Sequence, residues 1–117
     1  MAKITVCMTT APYNGVLAQD ALDFAMGATN YGHDVSLLFM EDGVFQLLAK
    51  QQPVEGIKNH EKRLKSLPFF DIETLLCCKS SLVKRNISPA EIEHDITLCD
   101  TDTMSDMLCQ SDHVVRF

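Results

Sequence analysis

At 117 residues, with 46% hydrophobic and 22% charged residues, the chain has the composition of one ordinary globular domain, long enough to bury a core without staples. A formal net charge of -6 and a pI near 5.0 argue against a broad nucleic-acid-binding face. No apolar run of about 18 residues is present to span a bilayer, the opening Met1-Ala2-Lys3-Ile4-Thr5-Val6 lacks signal-peptide proportions, and five cysteines, with no C-x-x-C and no paired histidines, suit a reducing, cytoplasmic setting better than a disulfide framework or a zinc site.

In chain order, Lys3 to Met8 is a short β-rich run with Cys7 as a small core hydrophobe. The loop Thr9-Thr10-Ala11-Pro12-Tyr13-Asn14-Gly15 follows, and by itself is weak support for anion binding. Leu17, Ala21, Phe24, Ala25 and Ala28 then recur at helical spacing within Val16 to Asn30, and Asn30-Tyr31-Gly32 supplies a stop. Asp34 to Met40 is nearly continuous in apolar character, as strands covered on both faces are. Strand, helix and strand of these lengths form a βαβ unit.

Glu41-Asp42-Gly43 turns the chain into a very apolar helix, Val44 to Lys50. Val44, Phe45, Leu47 and Leu48 put four large apolar residues in five positions, more than one helix stripe needs, and are therefore candidates for a subunit interface as well as for core. Gln51 to Gly56 reads as a surface loop. Ile57 to Leu67 reads as a charged helix on which His60 and the basic Lys58, Lys62, Arg63 and Lys65 are solvated.

An apolar run from about Glu73 reaches Cys77-Cys78 and is taken as the central strand; Ser80 to Arg85 follows as a short helix that Asn86 ends. Ser88-Pro89-Ala90-Glu91 carries the marks of a helix start. His94 to Cys99 predicts a fourth strand, Asp100 to about Ser111 a final helix with Met104, Met107 and Leu108 on one face, and His113 to Phe117 a fifth strand. The alternation predicts a single α/β domain over residues 1–117: three layers, flavodoxin-like, with a five-stranded, mainly parallel sheet flanked by helices. In such sheets chemistry gathers beyond the carboxyl ends of the strands, which here carry Thr9, Thr10, Glu41, Asp42, Cys78 and Asp100.

The paired cysteines are the chemical feature. On a strand they face opposite ways, so one is core and the other sits where strand passes into helix. Cys78 there admits a structural and a reactive reading, since a helix N-terminus and the neighbouring Lys79 favour thiolate. No dinucleotide fingerprint, P-loop or G-x-S-x-G occurs, and a phosphatase-type loop would need glycines that Cys78 to Arg85 lacks. A lone thiolate can still accept and pass on sulfur as a persulfide.

Several segments carry a resemblance to a known family. They are Thr9-Thr10-Ala11-Pro12 after the first strand, Glu41-Asp42-Gly43-Val44-Phe45-Gln46-Leu47-Leu48, and Phe70-Asp71-Ile72-Glu73. The spacing of Cys78, Leu82 and Arg85 and the closing Asp112-His113-Val114-Val115-Arg116-Phe117 complete the set. The whole chain resembles the DsrE/DsrF-like family, on its DsrF-like side. The resemblance implies a small cytoplasmic subunit that joins TusB-like and TusD-like subunits in a heterohexamer. Such a complex receives persulfide sulfur from a TusA-like carrier and passes it through a TusE-like one toward 2-thiouridine at the tRNA wobble position. No cofactor, metal, membrane or direct grip on tRNA is expected, on the cysteine spacing, the lack of a long apolar run and the net charge.

In that family the persulfide position, ascribed to the D-type subunit, is the one Cys78 matches. Lys79-Ser80-Ser81 stands here in place of a small apolar run, and Asn86 in place of a usual glycine. The main reading is therefore a non-catalytic, complex-forming subunit. The alternatives are a direct carrier using Cys78 and a small-ligand-binding α/β module.

Overall fold

The computed structural model describes residues 2–11, 16–48, 60–72, 74–92, 94 and 96–117. The turn at Pro12 to Gly15, the loop at Gln51 to Gly56 and the expected helical residues 57–59 lie outside them. Strands are β1 (Lys3–Met8), β2 (Asp34–Phe39), β3 (Thr74–Cys78), β4 (Thr97–Cys99) and β5 (His113–Arg116). Helices are α1 (Leu17–Asn30), α2 (His60–Lys65), α3 (Lys79–Lys84) and α4 (Thr101–Gln110), with 3₁₀ segments at Glu41–Leu47, Leu67–Phe70 and Pro89–Glu91.

Every strand pairing is parallel, and the order is β4-β3-β2-β1-β5. The three-layer α/β class thus stands, with the sheet wholly parallel. Within it the winding differs from the 2-1-3-4-5 order of flavodoxin. The middle strand is β2, and β3 lies one in from the edge. From β1 to β4 the chain steps in one direction, so right-handed crossovers place α1, α2 and α3 on one face. The return to β5 steps the other way and puts α4 on the opposite face.

Side-chain burial follows this winding. On the first face Val6, Met8, Leu37, Phe39 and Cys77 are all 0% exposed and form one cluster with Ala21, Leu22 and Ala25 of α1, Leu64 of α2 and Leu82 of α3. Phe24 of α1 meets Phe117 with ring centroids 5.8 Å apart, closing that face over β5. On the second face the strands bury Thr5, Cys7, Leu38, Cys78 and Cys99, yet α4 buries none of its own residues. Met104, Met107 and Leu108 are half-exposed, and the Thr5 and Ser111 hydroxyls meet at 2.6 Å between sheet and helix.

Local punctuation is largely as the residue types dictate. Gly32 ends α1 at φ 85, Asn86 takes φ 55 after α3, and the Ser88 side chain accepts from the Ala90 N–H. The charged helix is shorter than its pattern suggests: α2 stops at Lys65, and Pro68, which lacks an N–H, falls in a 3₁₀ turn. The edge strand β4 is also short, starting at Thr97 rather than His94.

The largest local difference is at residues 41–48. The expected α-helix from Val44 is a 3₁₀ segment that begins at Glu41, after which Leu48 bridges Ile92 in antiparallel fashion. With three residues per turn, positions i and i+3 share a side. Val44 and Leu47 therefore point together into the core, both 0% exposed, and have no surface to give a partner. Phe45 and Leu48 share the adjacent side and are half-buried against the core. Gln46 is fully buried, its Nε2 donating to the Thr10 carbonyl at 2.8 Å. Gly43 lies so close to β1 that a Cβ would sit 1.7 Å from the Met8 carbonyl oxygen, leaving room for glycine alone.

Candidate functional site

The rim formed by the carboxyl ends of the strands holds the residues expected there, but it does not hold them in one group. The winding reverses between β1 and β5, which makes that junction the switch point of the sheet. It is laced by hydrogen bonds: the Thr9 N–H and hydroxyl both donate to the Phe117 carbonyl, at 2.8 and 2.7 Å, and Arg116 pairs with Glu41 at 2.9 Å. Cys78 lies two strands away, at the junction of β3 and α3.

Strand alternation and register decide the two cysteines. Phe39 pairs with Cys77, so Cys77 shares the first face with Leu37 and Phe39, where it is 0% exposed. Burial there, with smaller contributions from Cys78 and Cys99, pushes its thiol up to about 12. Cys77 is a core residue and no nucleophile.

Cys78 turns to the second face and is the residue from which α3 starts. It is 4% exposed. Burial alone pushes its thiol up, but hydrogen bonding outweighs that: the Ser80 and Ser81 side chains and their backbone N–H groups hold it below the ordinary thiol range. The Cys78 Sγ lies 3.3 Å from the Ser80 Oγ. Ser80 and Ser81, two residues of the departure noted in the sequence, thus favour thiolate here.

Ser81 connects this thiol to the rest of the rim. It is 6% exposed, and its Oγ accepts from the Glu41 N–H at 2.9 Å, which leaves its own proton to point elsewhere. Glu41 has φ 52, a left-handed backbone that costs a non-glycine residue about 1 kcal/mol. The Ser81 bond and the Arg116 ion pair hold it in that conformation. A further pair, Arg85 to Asp42 at 3.0 Å, ties the end of α3 to the same 3₁₀ segment. Sequence reasoning placed Cys78 and Glu41 at the rim but not Ser81, and not the contact of Ser81 with Glu41, which spans forty residues of chain.

Beyond α3, a pocket of about 360 Å³ opens between α3 and the start of α4, walled by Lys79, Ser80, Lys84, Cys99 and Asp100 among others. Asp100 caps α4 by accepting from the Thr103 N–H at 2.8 Å, and its carboxyl is held below the usual range first by that hydrogen bond. Among the described residues no cluster of three or more histidine, cysteine or acidic side chains is placed to hold a metal ion, and no helix is long and apolar enough to cross a membrane.

A wholly parallel 4-3-2-1-5 sheet with a hydrogen-bonded thiol at the carboxyl end of an inner strand defines a class of small α/β proteins suited to thiol chemistry. The chain belongs to the DsrE/DsrF-like family, whose model matches residues 2–117. It is 29% identical over 119 residues to a protein named "Protein TusC homolog" in Vibrio parahaemolyticus serotype O3:K6, with all of both chains covered. It is equally similar, 29% over 119 residues and all of both chains, to "Protein TusC" of Buchnera aphidicola subsp. Baizongia pistaciae. Among solved structures, the crystal structure of the ychN protein from E. coli shares the fold with a TM-score of 0.87 at 24% identity, again over all of both chains.

Proposed function

We propose that this chain is a subunit of a cytoplasmic sulfur-relay complex that passes persulfide sulfur toward 2-thiouridine at the tRNA wobble position. Its role there is mainly assembly: one DsrE/DsrF-like domain joins TusB-like and TusD-like subunits, and the complex exchanges sulfur with TusA-like and TusE-like carriers. The observation that carries this reading is the full-length likeness to proteins named TusC, within a family matched over residues 2–117. The thin cover of the second sheet face, where α4 buries none of its residues, agrees with a subunit that completes its packing against others. A net charge of -6 agrees with a subunit that does not grip tRNA.

A second reading has its own observation. The Ser80 and Ser81 hydrogen bonds that favour a Cys78 thiolate also suit a direct sulfur carrier. One experiment separates the two. The chain is co-expressed with TusB-like and TusD-like partners, sized, and then given a cysteine desulfurase, a TusA-like carrier and sulfur-labelled cysteine. Assembly predicts co-elution, weakened by Phe45→Asp, the larger of the two half-buried apolar members of the 41–48 segment. Circular dichroism establishes that the variant folds. A chain that elutes alone, or a Phe45→Asp complex that elutes unchanged, overturns the assembly role as drawn. Label on Cys78 that moves on to a TusE-like carrier establishes the second reading.

A further inference from the structure

Neither reading uses Cys99, the last residue of β4. It stands in register beside Cys78 on the neighbouring parallel strand. Residues paired across parallel strands send their side chains to the same face, so the two thiols point together onto the second face of the sheet. Adjacent strands lie about 4.8 Å apart, inside the roughly 4.4–6.8 Å between Cα atoms that a disulfide spans. β4 is an edge strand of three residues, with no further strand on its outer side among the described residues, so it can make the small inward shift that bonding requires. Both cysteines are buried, at 4% and 1% exposure; Cys99 walls the open pocket together with Lys79 and Ser80, the two residues that follow Cys78, so the pocket brings a small oxidant to the edge of the pair. The other thiols are worse placed. Cys77 points to the opposite face, Cys7 belongs to β1 two strands beyond β3, and Cys109 is exposed on α4.

We propose that Cys78 and Cys99 form a dithiol pair that a hydroperoxide converts into a cross-strand disulfide. The Cys78 thiolate attacks the O–O bond, which breaks; sulfur is oxidised to a sulfenic acid and the peroxide is reduced to an alcohol, or to water for hydrogen peroxide. The Cys99 sulfur then attacks Cys78 Sγ. The S–S bond forms, the S–O bond breaks, and the departing hydroxide takes up the Cys99 proton as a second product, water. Two thiols and one hydroperoxide give one disulfide, one alcohol and one water. Two features divide the roles. Serine hydrogen bonds favour thiolate at Cys78, the attacking sulfur, while burial and then the charge of Asp100 keep Cys99 protonated until it is needed. The link would close Cys78 to sulfur exchange until a thiol reductant reopens it, and it stands whether or not Cys78 carries sulfur.

The test uses the full chain and hydrogen peroxide, followed by alkylation of free thiols, tryptic cleavage at Lys79 and fragmentation mass spectrometry. The expected result is one intrachain link between Cys78 and Cys99, kept in Cys77→Ala and Cys109→Ser and lost in Cys78→Ser and Cys99→Ser. In Cys99→Ser the oxidant instead carries Cys78 on to sulfinic acid. Alkylation of Cys78 in the native chain falls about tenfold or more after oxidation and recovers with dithiothreitol. A native chain with Cys78 over-oxidised and Cys99 still alkylated overturns the proposal, as does a link through Cys109 or between chains. Should Cys99→Ser fail to fold, the map of the native chain decides alone.

Discussion

The two faces of the sheet have been built to different standards. The first receives three helices and two 3₁₀ segments, and the residues that β1, β2 and β3 send to it are closed from solvent. The second receives α4, whose ten residues are all at least partly exposed. Two neighbouring cysteines sample this difference directly. Cys77 faces the finished side, where desolvation suppresses its chemistry; Cys78 faces the unfinished side, next to serine donors, a second thiol and an open pocket. One residue of chain separates inert packing from a site, because alternation along a strand assigns successive side chains to different environments. Core is what the first face is for, and chemistry or contact is what the second leaves room for.

The sharpest way to break that comparison is to truncate one apolar residue on each face. Phe39 is 0% exposed among the first-face cluster. Phe39→Ala should cost on the order of 3–5 kcal/mol, the sum of lost transfer energy and a cavity. Met107 on α4 is half-exposed, and Met107→Ala should cost less than about 1 kcal/mol in the isolated chain. Urea unfolding of both variants checks the contrast. Equal losses would mean that the second face carries as much of the fold as the first.

A smaller effect reads the first face through pH. The Cys77 thiol is raised on folding from 9.0 to about 12, first by burial. Its folded state therefore holds the proton more tightly than the unfolded chain. The stability this contributes is complete below pH 9.0 and is lost as pH rises toward about 12, at up to about 1.4 kcal/mol per pH unit. Cys77→Ala removes this component while leaving every lysine and tyrosine in place. Unfolding free energies measured from neutral to alkaline pH should fall more steeply for the native chain than for the variant. Parallel slopes would place Cys77 in contact with water.

Much of this arrangement was legible in the residues. Alternating strand and helix periods gave an α/β sheet, and the end of an apolar run at Cys77-Cys78 gave opposite faces for the pair. Register and winding were not legible, because whether a new strand joins the left or right edge depends on packing between distant segments. The flavodoxin order and a central β3 were the expectations; β2 holds the middle instead. The segment at 41–48 misled through its period. Read at 3.6 residues per turn its apolar residues overfill a stripe, whereas at three per turn Val44 and Leu47 stack inward and their burial is explained. Ser81 is invisible as a site residue in sequence, since its partner Glu41 belongs to another crossover.

Ser81 also offers the finest test of how the second face differs from the first. Its Oγ accepts the Glu41 N–H and helps hold the Cys78 thiol down. Ser81→Ala removes both, at a stability cost of about 1 kcal/mol for the hydrogen bond. The informative readout is chemical. With one hydrogen-bond donor gone, burial, which is the largest influence on the Cys78 thiol and acts upward, is less opposed. The midpoint of the pH profile for Cys78 alkylation must then move to higher pH, and the rate at neutral pH must fall. Ser88→Ala provides the control: it deletes a hydroxyl that accepts the Ala90 N–H, in a turn outside the Cys78 hydrogen bonds, so it costs comparable stability and leaves the profile in place. If both variants shift the profile alike, thiol reactivity tracks loosening of the domain. If Ser81→Ala alone shifts it, the rim holds a thiol tuned by a hydroxyl that is itself ordered by a backbone N–H forty residues away.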